Sequence, residues 1–283
     1  TWAAPASTGG SAITDYTVQF SSDLGTSWST FADGVSTTRA ATVTGLTNGT
    51  GYTFRVAAVN AAGTGAWSLV TNAITPFTTP GTPTGAAGTR GSTQVDLTWS
   101  APSSTGGNAI SDYTVQYSSD SGVNWTTFTH TASSTTSITV TGLTNGTAYL
   151  FRVAAVNAAG AGSFSTASSA VTPITVAGAP TTVAGTAANA QVALTWSAPA
   201  SNGGNAISDY TVQYSSDNGS TWTSFAHTAS STASITVTGL TNGTSYVFRT
   251  AAVNAAGTGA WSSASAAVVP RTAADAATGV TAA

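Results

Sequence analysis

Apolar side chains recur at every second position in short runs along the middle of the chain. Val95, Leu97 and Trp99 alternate with Asp96 and Thr98, and Tyr113, Val115 and Tyr117 alternate with Thr114 and Gln116. Tyr149, Phe151, Val153 and Ala155 form a third such run. A period of two places each set on one face of a β-strand, so these are strands with one side turned to a core. Between them lie Trp125 to Phe128, a short edge strand, and Ser137 to Thr141, which ends at a bend, Gly142-Leu143. Asp120-Ser121-Gly122, Asn145-Gly146 and Asn157-Ala158-Ala159-Gly160 supply the turns. With a first strand at Thr84 to Gly88 and a last one from Phe164 to Thr172, the pattern predicts seven strands.

This unit repeats. Trp2, Trp99 and Trp196 are each 97 residues apart, and the same step relates Tyr16, Tyr113 and Tyr210, Leu46, Leu143 and Leu240, and Pro76, Pro173 and Pro270. A period near one hundred residues is too long for a solenoid repeat and suits a self-contained sandwich. The predicted domains are 1–76, 81–173 and 178–270, with 274–283 opening a fourth unit. Thr1 aligns with Thr98, so the first domain is expected to lack its first strand and most of its second. The plain reading is an excerpt of a longer array. The sharper one is that 274–283 donates a strand to the next subunit's first domain, building a head-to-tail filament. The joints, Phe77 to Thr82 and Ile174 to Ala179, are short and flanked by proline, which predicts an extended string of domains with little slack.

The stretch Leu143-Thr-Asn-Gly-Thr-Ala-Tyr149-Leu-Phe151-Arg-Val153-Ala-Ala155-Val-Asn157-Ala-Ala-Gly160 resembles the fibronectin type III signature, and Leu46, Tyr52, Leu240 and Tyr246 repeat it. The resemblance implies an all-β chain of tandem seven-stranded immunoglobulin-like (fibronectin type III) β-sandwiches in an extended array. It also implies that the Tyr149 hydroxyl binds backbone near the Leu143 bend and that Trp99, followed by Ala101-Pro102, is buried. Some animal members carry Arg-Gly-Asp in the hairpin that here reads Asn157-Ala-Ala-Gly-Ala-Gly162, so integrin adhesion is not carried over. The fold itself hosts many functions.

Composition narrows the chemistry. Only 5% of the 283 residues are charged, there is no lysine or cysteine, and the net charge is −3. Disulfides, thiolate metal sites and Lys–Asn isopeptide cross-links are thereby excluded, and no basic stripe exists to hold nucleic acid. No apolar run is long enough to span a membrane. His130 and His227 lie a full repeat apart and read as turn residues; with one histidine per domain at most, no Ser/His/Asp set assembles. The carboxylate pairs Asp15/Asp23, Asp112/Asp120 and Asp209/Asp217 bracket a strand and so stand more than about 20 Å apart, too far for a glycosidase pair. Asp23, Asp120 and Asp217 read as turn residues, with too few oxygen ligands nearby for Ca²⁺. No catalytic residue, metal site or cofactor is expected. Asn48, Asn145, Asn242, Asn124 and Asn218 match the N-glycosylation pattern, although Asn-Gly already answers to turn geometry.

The aromatic positions remain as candidates for recognition. Trp28, Trp125 and Trp222 follow the aspartate turn, and Trp67, Phe164 and Trp261 follow the second hairpin. They suit stacking on sugar rings or packing on a neighbouring array, or else cover the sheet edge and the joint. The expected role is a non-catalytic structural or adhesive repeat of an extracellular or cell-surface filament or giant adhesin, whose partners are copies of itself or neighbouring repeats, with glycans as a further candidate. The alternative is a spacer or carbohydrate-binding accessory of a secreted polysaccharide-degrading enzyme, a setting that the family resemblance implies.

Overall fold

The computed structural model of the chain describes residues 1–274 and residue 278; the expected fourth unit at 274–283 therefore lies almost wholly outside the described residues. Repeat one contributes β1 (Ile13–Ser21), β2 (Ser29–Phe31), β3 (Thr53–Asn60) and β4 (Gly63–Thr64). Repeat two contributes β5 (Thr84–Arg90), β6 (Gln94–Ser100), β7 (Asp112–Ser118), β8 (Thr126–Phe128), β9 (Ser137–Thr141), β10 (Leu150–Asn157) and β11 (Gly160–Ala161). Repeat three matches it with β12 (Thr181–Ala188), β13 (Gln191–Ser197), β14 (Asp209–Ser215), β15 (Thr223–Phe225), β16 (Ser234–Thr238), β17 (Val247–Asn254) and β18 (Gly257–Trp261).

In repeat two the sheets run β5-β6-β9 and β11-β10-β7-β8, all antiparallel, and repeat three has the same two orders. The alternation read from the sequence sets which side faces in. Val95 and Leu97 of β6, Val115 of β7, and Phe151, Val153 and Ala155 of β10 are fully buried between the sheets. Trp99 stands edge-on to Tyr113 with ring centroids 5.1 Å apart, a geometry that adds about 1 kcal/mol to area burial. The Tyr149 hydroxyl accepts the Thr144 N–H at 3.1 Å, and Tyr52 and Tyr246 do the same for Thr47 and Thr241. The corner that the resemblance implies is thus present three times.

The last strand departs from expectation. Instead of a continuous ladder from Phe164 to Thr172, β11 ends at Ala161, and a single bridge reappears at Val171 opposite Tyr149. Between them contact with β10 is kept every third residue. The Ser165 and Ser168 N–H groups donate to the Val153 and Phe151 carbonyls. The return bonds, from the Val153 and Phe151 N–H groups, go to the serine Oγ atoms at 3.1 Å. A three-residue rhythm takes the chain's own carbonyls out of the period-two ladder, and the hydroxyls replace them, so the buried amides keep acceptors.

Repeat one has a single four-stranded sheet, β2-β1-β3-β4. Against this sheet lies an open hollow of about 570 Å³ lined by Val18, Val43, Leu46, Phe54 and Val56 among others.

The joints have less freedom than a short linker implies. Thr78 N–H donates to the Gly106 carbonyl (2.8 Å) and Gly81 N–H to the Ser104 carbonyl (2.9 Å), so the linker is hydrogen-bonded to the first loop of the following repeat. The Asn157 amide of that repeat donates to the Thr78 and Thr105 carbonyls, at 2.8 Å each. The second joint repeats every element through Thr175, Gly178, Gly203, Ser201 and Asn254. There Ile174 also donates its N–H back to Gly91 of repeat two, while Ala177 is buried in the core of repeat three. The two repeats touch backbone to backbone: at Gly107, where φ is +88°, a Cβ would overlap the Gly49 nitrogen, and Gly204 meets Gly146 in the same way.

Candidate functional site

The six aromatic positions come together in pairs around an arginine that sequence reasoning passed over. In repeat two Arg152 projects from β10, and its guanidinium lies 4.1 Å from the Trp125 ring centroid and 4.4 Å from that of Phe164. Arg55 sits between Trp28 and Trp67 at 4.1 and 4.5 Å, and Arg249 between Trp222 and Trp261 at 4.2 and 4.7 Å. Strand register explains the stack. Gln116 of β7 faces Arg152 on one side and Thr127 of β8 on the other, so the three form one row across the sheet. The Arg152 Nε and Nη2 both donate to the Gln116 Oε1 at 2.8 and 2.7 Å, and the Gln116 amide donates to Thr127 at 3.1 Å. Gln19 and Gln213 hold Arg55 and Arg249 in the same way. The rings are half-buried, with one face against a cation, an attraction of about 1 kcal/mol at a partly exposed site. The signal in the sequence was a lone arginine at the same point of each repeat, with glutamine 36 residues before it.

The aspartate turn is an internally satisfied loop. Asp120 accepts hydrogen bonds from the Asn124 N–H (2.9 Å), the Ser118 hydroxyl (2.7 Å) and the Asn124 amide. These donors stabilise the carboxylate and hold its pKa at about 2. Asp23 and Asp217 are likewise held at about 2, first by Ser21 and Ser215. The turn also fixes the indole: Trp125 Nε1 donates to the Gly122 carbonyl at 3.0 Å. Among the described residues no three His, Cys, Asp or Glu side chains converge.

The histidines are less solvated than a turn position suggests. His130 stacks on Phe128, with Nδ1 and Nε2 each 2.9 Å from a carbonyl, those of Thr131 and Tyr113. His227 is 13% exposed, stacks on Phe225 and lies 4.0 Å from Asp209. Both pin the loop after the short edge strand onto the sheet. Of the glycosylation-pattern residues, Asn145 and Asn242 are engaged by the Thr93 and Ala190 N–H groups.

The fibronectin type III domain profile matches residues 1–74, 81–171 and 178–268, covering most of the chain. The chain belongs to the fibronectin type III family. Its relatives include proteins of two kinds. Human myomesin-2 is 32% identical over 226 residues, 77% of this chain and 15% of its own length. Exoglucanase B of Cellulomonas fimi is 34% identical over 259 residues (84% and 22%), and chitinase A1 of Niallia circulans 36% over 182 residues (61% and 23%). The chain thus spans less than a quarter of each of these proteins. Fibronectin type III repeats accordingly occur both in a muscle protein and in polysaccharide-degrading enzymes, and in this chain they form tandem β-sandwiches. Among the described residues no helix is long and apolar enough to cross a membrane.

Proposed function

We propose that this chain is a non-catalytic structural run of repeats that holds what lies on either side of it at a fixed separation, in an extracellular or cell-surface assembly. The carrying observation is the joint. Every joint uses the same linker hydrogen bonds, the same asparagine clamp and the same glycine contact, so each repeat is set at one orientation relative to the last. A spacer that only tethered its neighbours would need none of this; polar, flexible linkers suffice for that.

Two settings fit a rigid spacer. One is a surface filament or adhesin, where rigid repeats build length and copies of the chain are the partners. The other is favoured by the similarity to exoglucanase B and chitinase A1: a spacer inside a polysaccharide-degrading enzyme. Small-angle scattering tests the shared premise. The chain is expected to scatter as a single extended conformer, and Gly107→Ala with Gly204→Ala to spread that distribution by wedging both glycine contacts apart. An ensemble of bent forms for the unaltered chain, or identical curves for the variant, would sink the rigid-spacer reading.

A further inference from the structure

Each arginine stack leaves one feature unused. The guanidinium has two broad faces and two hydrogen-bonding edges. In Arg152 the faces are covered by Trp125 and Phe164, and the side edge, Nε with Nη2, is filled by Gln116 Oε1. The end edge, one N–H from each Nη atom, has no acceptor among the described residues, and the same holds for Arg55 and Arg249. Nor is the charge neutralised: the one ion pair among the described residues joins His227 and Asp209. A half-buried cation without a counter-charge, held immobile by glutamine and two rings, is a preorganised donor fork.

We propose that these three end edges form a repeated binding site for the carboxylate groups of an acidic linear polysaccharide. The free edge suits such a group: two parallel N–H donors match the two oxygens of one carboxylate, and immobilisation beforehand removes most of the entropic cost of the contact. The ring atoms left exposed beside the fork offer apolar contact to the sugar that carries the carboxylate. Recurrence selects a polymer, since one fork per repeat, set at a constant step by the joints, suits a ligand that repeats as well, and three weak contacts then add as avidity. The constant step between forks rests on the spacer reading of the joints, whereas the fork itself lies on the sheet face, and arginine variants test it without touching a joint.

The test is affinity electrophoresis of the 283-residue chain in gels containing polygalacturonate or the same polymer fully methyl-esterified, which keeps the sugar and removes the charge. Retardation is expected in the first gel alone. Each of Arg55→Gln, Arg152→Gln and Arg249→Gln should weaken binding several-fold, and the triple variant should abolish it, with thermal melts reporting on the fold. Replacing all three by lysine keeps the charge and loses the planar fork, and is expected to weaken binding at least about tenfold. An unaltered chain indifferent to polygalacturonate overturns the proposal. So does a triple lysine variant that binds as tightly as the unaltered chain, since simple charge would then be enough. Concentration-dependent dimers that the glutamine variants dissolve, without retardation by the polymer, would overturn it in favour of a protein carboxylate.

Discussion

Ser168→Ala removes one oxygen from the irregular edge of repeat two, and its cost can be worked out bond by bond. The Ser168 Oγ accepts the Phe151 N–H at 3.1 Å and donates to the Ser169 carbonyl at 2.8 Å. Ser169 is exposed, so water replaces the second bond at little cost. Phe151 is fully buried, and its amide has no other acceptor, so the first bond is lost outright. A buried donor left unpaired costs about 1–3 kcal/mol, and about 2 kcal/mol corresponds to roughly a 30-fold shift in the unfolding equilibrium. Repeat three supplies a second trial, since Ser265 accepts the Phe248 N–H at 3.0 Å in the same place. Residue-resolved hydrogen exchange reads the effect where it arises: the Phe151 amide should lose protection, and the urea midpoint of repeat two should fall. Ser169→Ala is the control, expected to change stability by less than about 0.5 kcal/mol. If Ser168→Ala leaves both the Phe151 exchange rate and the midpoint unchanged, the hydroxyl is not the acceptor that holds this edge.

Other parts of the molecule yield sharper or cheaper trials. Phe164→Trp gives repeat two the ring that repeats one and three already have, and should stabilise it by about 0.5 kcal/mol in urea unfolding, since indole is the better partner for a guanidinium. Asn218 sits at φ +57° in the aspartate turn; Asn218→Leu should cost about 1 kcal/mol by thermal melting, as leucine tolerates that backbone poorly, although repeat one carries Leu24 there. The three turn aspartates titrate at about 2 when folded against an ordinary 3.8. Their depressed values make the stability they add complete above about pH 5, and it is lost as the pH falls toward 2. Circular dichroism melts across that range should therefore show acid sensitivity that Asp23→Asn, Asp120→Asn and Asp217→Asn together reduce, and equal sensitivity in the triple variant would refute the assignment.

What could be read from the residues, and what could not, follows the range of the interactions. Alternation along β6, β7 and β10 is local, and it identified Val95, Leu97, Val115, Phe151 and Val153 as core. The Tyr149 corner spans only five residues and was legible through resemblance. The edge after β11 was misread as a regular strand because its order lies in serines at every third position, a rhythm with no meaning until Phe151 and Val153 are known to need acceptors. The arginine stack was hidden for a different reason. Trp125, Arg152 and Phe164 come from three separate segments, and only the folded sheet brings their side chains together. At the joints the short, proline-flanked linkers suggested little slack, but the sequence did not show that Gly107 is glycine because another backbone lies where its side chain would be.

That contact at Gly107 also bears on how the array can change over time. A residue added to the linker would carry Thr78 away from Gly106, and one added to the loop would carry Gly107 away from Gly49, so either change breaks a joint while sparing the sheets on both sides of it. The step of 97 residues is therefore held by contacts outside the cores as well as within them. Such an array can vary in how many repeats it counts, but hardly in the length that each contributes, and its reach grows in whole units, like the divisions of a ruler.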